Sequence, residues 1–327
     1  MTSITLFRLP SAAILAVALA ACSPGATPTS DGAVLRVVAT TTQVGSVADE
    51  IGGDAIELTV LLQPGVEAHD FELTPAAGAA LEAADLILVS GAGLEDWLEG
   101  TLDTIGGADR VRDLSVGIDL RVPADGEPAH GNDEHADDEH ADEDEHGGPV
   151  DPHYWLSAPN AILMAENARD ALAAAAPAAA AGFDERAAAL VARLVQVDAE
   201  VRAMIDETPA DGRRIVTDHD ALGYFIEEYG LVFVGSVFPS LDVSSEPSAQ
   251  EIEALVAEIR AQGVTAIFSE SSVNPRLAAA VADETEARLV DEPIYTDSLG
   301  PAGSGTDTLD GMLLHNARVI RDGLLGD

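Results

Sequence analysis

The sequence predicts an α/β protein of two lobes, each with a mostly parallel central sheet flanked by helices, joined by one long rigid helix. Three observations lead there. Short runs rich in β-branched residues alternate with helical stretches over 35–105, and again over 214–325, the mark of parallel βαβ units. An uninterrupted helical periodicity lies between them, at 183–207. The chain of 327 residues, 47% apolar, is long enough to build two such cores.

Taken in order, residues 35–40 (LRVVAT) read as a buried strand, and the next stretch as a helix carrying Val44, Val47 and Ile51 up to Gly52-Gly53. A strand at 56–62, a helix at 75–83, a strand at 85–90 and a helix at 94–105 complete the first lobe. Apolar periodicity is lost from 123 to 150. The centre of that stretch, 130–146, holds four histidines and nine carboxylates without one basic residue, so it cannot form a core and reads as a solvated loop. A helix at 160–175 ends near Pro177. The long helix follows, with Leu190, Leu194, Val197 and Val201 on one face and Pro209-Ala210-Asp211-Gly212 as its stop. At 1.5 Å rise per residue it spans roughly 37 Å, the width of a lobe. Strands at 214–217, 231–235, 265–269 and 288–291 then alternate with helices at 222–229, 249–262 and 275–284, and a last helix covers 310–325. The expected divisions are therefore a first lobe at 34–180, a linking helix at 181–208 and a second lobe at 209–327.

The first 33 residues stand outside this fold. Arg8 is the only charge before an apolar run at 12–21, which is too short for a permanent membrane span and reads as a signal peptide over 1–21. The run ends in Leu19-Ala20-Ala21-Cys22, which resembles a bacterial lipobox. That resemblance implies cleavage before Cys22, diacylation of its thiol, and a tether over 22–33 anchoring an extracytoplasmic protein to the membrane. An ordinary secretory signal with an incidental cysteine is the alternative. Cys22 is the only cysteine, so the mature chain has no internal disulfide.

Charge narrows the function. Asp and Glu number 58 against 16 basic residues, every one of them Arg, for a net −42. Nucleic acid and anionic lipid surfaces would be repelled; cations would be attracted. A solubilising surface accounts equally for most of this charge.

Three histidines outside the acidic loop sit at or just after predicted strand ends or in loops: His69 in Gly65-Val66-Glu67-Ala68-His69-Asp70, His153 in Asp151-Pro152-His153-Tyr154-Trp155, and His219 in Thr217-Asp218-His219-Asp220. Open α/β sheets bind ligands off the carboxyl ends of their strands, and imidazole is a common metal ligand. Each histidine has a carboxylate within two residues, which is weak evidence for the partner that would fix its tautomer.

These segments resemble the zinc/manganese-binding lipoproteins of bacterial ABC importers. The resemblance extends over nearly the whole mature chain, through Gln63-Pro64-Gly65, Gly93-Leu94-Glu95-Asp96-Trp97-Leu98, Glu246-Pro247-Ser248-Ala249 and Ile294-Tyr295-Thr296-Asp297-Ser298-Leu299-Gly300. It implies a metal site between the lobes, with His69 and His153 from the first and His219 and Asp297 from the second. Asp291, Glu292 or a water molecule are the alternatives for the fourth position; the match around Asp297 favours it. Glu270 matches a family glutamate beside the site and would support a ligand rather than bind. Glu67 reads as a solvated loop residue, and His315 as a helix-surface or core histidine. Three imidazoles and a carboxylate suit Zn²⁺, with Mn²⁺ the alternative cargo. His130, His135, His140 and His146 in the acidic loop are expected to collect metal weakly and to be dispensable for the tight site. The implied partners are a permease with its cytoplasmic ATPase, the protein itself being a monomer. Two other classes stay open, a zinc hydrolase and a metal-binding surface adhesin. Against the hydrolase, Asp297 would fill the position a catalytic zinc leaves free, and the sequence has no His-Glu-x-x-His helix.

Overall fold

The computed structural model describes residues 34–69, 71–122, 150–241, 243 and 246–326. Cys22, the signal segment and the four histidines at 130–146 lie outside the described residues. β1 (Leu35–Ala39), β2 (Ile56–Val60), β3 (Leu86–Val89) and β4 (Val111–Asp113) form one parallel sheet in the order β2-β1-β3-β4. α1 (Thr42–Gly52), α2 (Pro75–Ala83) and α3 (Asp96–Ile105) connect or follow its strands. The second lobe repeats the plan. β5 (Arg214–Thr217), β6 (Val232–Ser236), β7 (Ala266–Glu270) and β8 (Arg288–Ile294) form a parallel sheet in the order β6-β5-β7-β8, with α6 (Gly223–Tyr229), α7 (Ala249–Gln262) and α8 (Arg276–Asp283) between them. α4 (Ala158–Ala175) and α5 (Ala180–Asp206) join the two sheets, and α9 (Leu309–Leu325) ends the chain.

Helix starts follow local chemistry. Side chains of Thr41, Thr74, Ser157 and Thr308 cap the first turns of α1, α2, α4 and α9, and Ser248 with Glu251 forms a reciprocal capping box on α7, each satisfying amides that a helix start leaves unpaired. β4 escapes the sequence reading because three residues are too few to show an alternation. β7 reaches Glu270, which places that carboxylate at the strand's end.

Alternate residues of each strand face opposite sides, and the two sides have different partners. Val37, Ala39, Leu86 and Leu88 of the first sheet, with Ile215, Ala266 and Phe268 of the second, belong to one continuous core. Along α5 that core is filled by Phe183, Ala187, Leu190, Leu194, Val197, Val201 and Ile205. With 27 residues, α5 runs for about 40 Å at helical rise. The opposite faces carry small separate clusters, Val38, Ile87 and Val89 with Leu81 and Leu98 in the first lobe, and Val216 and Ile267 with Ile259 and Val281 in the second. α9 also packs against α1 and α5, so the end of the chain reaches beyond its own lobe. Among the described residues no helix is long and apolar enough to cross a membrane.

Candidate metal centre

One part of the seam between the lobes is built around the segment that follows β8. Thr296 offers its carbonyl to two donors from the first lobe, Gln43 Nε2 at 3.0 Å and Trp155 Nε1 at 2.9 Å. Ser298 Oγ accepts from the Gly65 amide, and Thr42 Oγ1 from the Leu299 amide. These bonds fix Asp297 between them.

Four side chains converge there. His69 follows β2, His153 precedes α4, His219 follows β5 and Asp297 follows β8. One ligand atom from each lies within 4.8 Å of the others. His69 Nε2 and His153 Nε2 stand 3.1 Å apart, His153 Nε2 is 3.0 Å from Asp297 Oδ1, and His219 Nε2 is 3.4 Å from Asp297 Oδ2. A tetrahedron of N and O donors with bonds of ~2.0–2.1 Å has edges of about 3.3 Å, so these distances suit one small ion at the centre. His219 Nε2 is buried without a hydrogen-bond partner, an orphan that an ion would satisfy. His153, His219 and Asp297 are buried, and His69 is 15% exposed at its side chain.

The other ring nitrogens are held by carboxylates. His153 Nδ1 faces Asp151 Oδ1 at 2.8 Å, and the same oxygen accepts the His153 amide at 3.0 Å. His219 Nδ1 and its amide both meet Glu270 Oε1, at 2.9 and 3.0 Å. Thr296 Oγ1 bonds the second Glu270 oxygen, and the Glu270 amide bonds Asp218 Oδ2 at 2.8 Å. Such partners orient an imidazole and raise its basicity. Proximity in sequence identifies the His153 partner but not the one for His219, which comes from 51 residues away.

Electrostatics agree with a cation site. Burial alone would lower the His153 and His219 imidazoles. For His153, hydrogen bonds to Asp151 and Asp297 outweigh it and lift the ring to about 10; for His219, Glu270 and Asp297 lift it to about 9. Asp297 should rise on burial, but His219, His153 and His69 hold it well below the usual carboxylate range. Protons and a metal ion thus compete for the same nitrogens. Burial first, then the charge of Asp297, pushes Glu67 up to about 7. Glu67 is not the solvated residue expected from sequence: it is half-buried, one oxygen accepts the His69 amide at 3.3 Å, and the other is buried without a partner. Its apolar neighbours Val66 and Ala68 gave no sign of which way it would turn. His315 lies away from the centre, its Nε2 on the Pro293 carbonyl at 2.9 Å.

A family profile described as zinc-uptake complex component A, periplasmic, matches residues 37–323. Among known proteins the chain is similar to the manganese-binding lipoprotein MntA of Halalkalibacterium halodurans, 28% identical over 95% of this chain and 96% of that one. It is also similar to the iron-binding protein YfeA of Yersinia pestis, 29% identical over 83% and 80% of the two chains. The fold matches the periplasmic zinc-binding protein TroA from Treponema pallidum with a TM-score of 0.78 at 26% identity, covering 89% of this chain and 99% of that one.

Proposed function

The chain belongs to the family of zinc-uptake complex component A, periplasmic, proteins, and from that premise we propose that the ion it carries is zinc. It is a metal-binding substrate-binding component of an ABC importer and not an enzyme, so a permease and an ATPase are its partners. The observation that carries the choice of zinc is the donor set: His69, His153, His219 and one carboxylate, Asp297, with one ligand atom of each within 4.8 Å of the others. Three imidazoles suit Zn²⁺ better than Mn²⁺, which favours oxygen ligands. Manganese is the second reading, because relatives such as MntA are named for it.

The proposed action is capture and presentation. An ion passes the partly exposed His69, loses its water, displaces protons from the imidazoles and is caged by the second lobe's His219 and Asp297. The permease then opens the seam for release. Cys22 would anchor the chain as a lipoprotein, working as a monomer, and the histidines at 130–146 would raise the local zinc concentration as tethered weak ligands do. Competitive calorimetry with Zn²⁺ and Mn²⁺ against a chelator tests the reading. Zinc bound at one tight site, at least about tenfold (~1.4 kcal/mol) above manganese, supports it; the reverse order transfers the role to manganese.

A further inference from the structure

Arg121 touches none of the four metal-facing atoms, yet it is wired to one of them. Its Nη1 donates to Asp151 Oδ2 at 2.8 Å, while Asp151 Oδ1 faces His153 Nδ1. Its Nε donates to Glu227 at 3.1 Å. The backbone closes the same ring: the Asp151 amide donates to the Arg121 carbonyl, the Arg121 amide donates to the Tyr224 hydroxyl, and that hydroxyl donates to the Asp151 carbonyl, all at 2.8–2.9 Å. Arg121 and Asp151 belong to the first lobe, Tyr224 and Glu227 to α6 of the second.

Gly223 shows that room is kept for this arrangement. A Cβ there would lie 1.5 Å from Arg121 Nη1 and 2.7 Å from Asp151 Oδ2. Only a residue without a side chain lets the guanidinium cross the start of α6. The Asp151 side chain is fully buried, and a buried carboxylate needs its charge answered and its oxygens bonded. His153 answers one oxygen and Arg121 the other.

We propose that Arg121 is a positioning residue for the metal site: it fixes the Asp151 carboxylate against the second lobe, and so ties the orientation of His153 to the contact between lobes. This rests on the reading that His69, His153, His219 and Asp297 hold the transported ion. An ordinary half-exposed ion pair would affect stability a little and leave the ion's departure untouched.

The test uses the full-length chain, wild type against Arg121→Gln and Arg121→Lys, loaded with Zn²⁺ for release kinetics into a chelator and with Co²⁺ for its absorption bands. Partners of metal-bound imidazoles are worth ~10–100-fold, so Arg121→Gln, one bond further out, is expected to lose zinc about tenfold faster and to shift the Co²⁺ bands. Arg121→Lys keeps the charge beside Asp151 but not the fork to Glu227, and is expected to lie between. Wild-type release rate and an unchanged Co²⁺ spectrum in Arg121→Gln overturn the proposal. Should the glutamine variant not fold, the lysine variant decides it by the same two readouts: faster release supports it, unchanged release overturns it. A wild-type chain that binds neither ion tightly refutes the metal-site reading itself, and this inference with it.

Discussion

In the first lobe, the position between the ends of β1 and β3 is filled by Glu95, whose oxygens accept from Thr40 Oγ1 and from the Ser90 and Gly91 amides. In the second lobe, the same position between β5 and β7 holds His219 on Glu270. The two sheets share one strand order, and this crevice is where such sheets bind ligands. The first lobe closes it with a carboxylate that ties its own backbone. Its two histidines of the proposed site come instead from the loop after β2 and the segment before α4, and one of them is partly exposed. Topology therefore offers the same place twice, and the side chains decide which offer is used. The second lobe's His219 and Asp297 are a buried half; the first lobe adds the buried His153 and, as a doorway, the partly exposed His69.

The largest effect should come from the buried half. A structural zinc site is worth ~10–16 kcal/mol, so one of four ligands is worth about 3 kcal/mol, or ~100-fold in affinity. His219→Ala is expected to weaken zinc binding by that factor in a chelator-competition titration. Glu270→Gln leaves the ligand in place but loosens its ring, and a loss in the range of ~10–100-fold is expected. His69→Ala opens the doorway side, where water can take the vacated position as in three-ligand zinc sites, and about tenfold is expected. A loss at His69 equal to that at His219 would break the contrast between the halves.

Smaller effects sharpen it. Deleting 129–147 is expected to change tight-site affinity by less than about tenfold, since tethered weak ligands act on local concentration. Glu95→Gln should leave zinc binding within about twofold, because the plug touches no metal-facing atom. It should instead alter stability against pH. Burial pushes Glu95 up to about 7 from an ordinary 4.5, so the folded state holds this proton more tightly than the unfolded chain. Its contribution is present below pH 4.5 and lost as pH rises through about 7. Denaturant titrations across that window should give a shallower decline for Glu95→Gln than for wild type.

Much of this was legible in the sequence. The βα alternation, the long α5 and both lobes follow from periodicity and stop signals, and α2, α7 and β5 fall where those signals put them. The placement of His69, His153 and His219 left their convergence open, and the resemblance implied it together with Asp297. What sequence could not give are contacts made across large separations. Resemblance pointed to Glu270 as a supporting carboxylate, but that it holds His219 follows only from the pairing of β7 with β5; Gln43 and Trp155 reach Thr296 across the lobes, and Arg121 reaches Asp151 from 30 residues away. None of these leaves a local pattern. Glu67 was misread for a related reason, because a carboxylate on an exposed loop gives no sign of which way it turns.

The apolar cluster along α5 makes the two sheets thermodynamically one body. Residues from Val37 in β1 to Ile320 in α9 share it, while the outer clusters are much smaller, with ten buried side chains in the second lobe and six in the first. Neither sheet keeps an adequate core if the other unravels. The chain should therefore denature in a single cooperative step despite its two sheets, with calorimetric and van't Hoff enthalpies in agreement. Ion captured at the seam then raises one midpoint for the whole molecule, and a core substitution in either lobe weakens both.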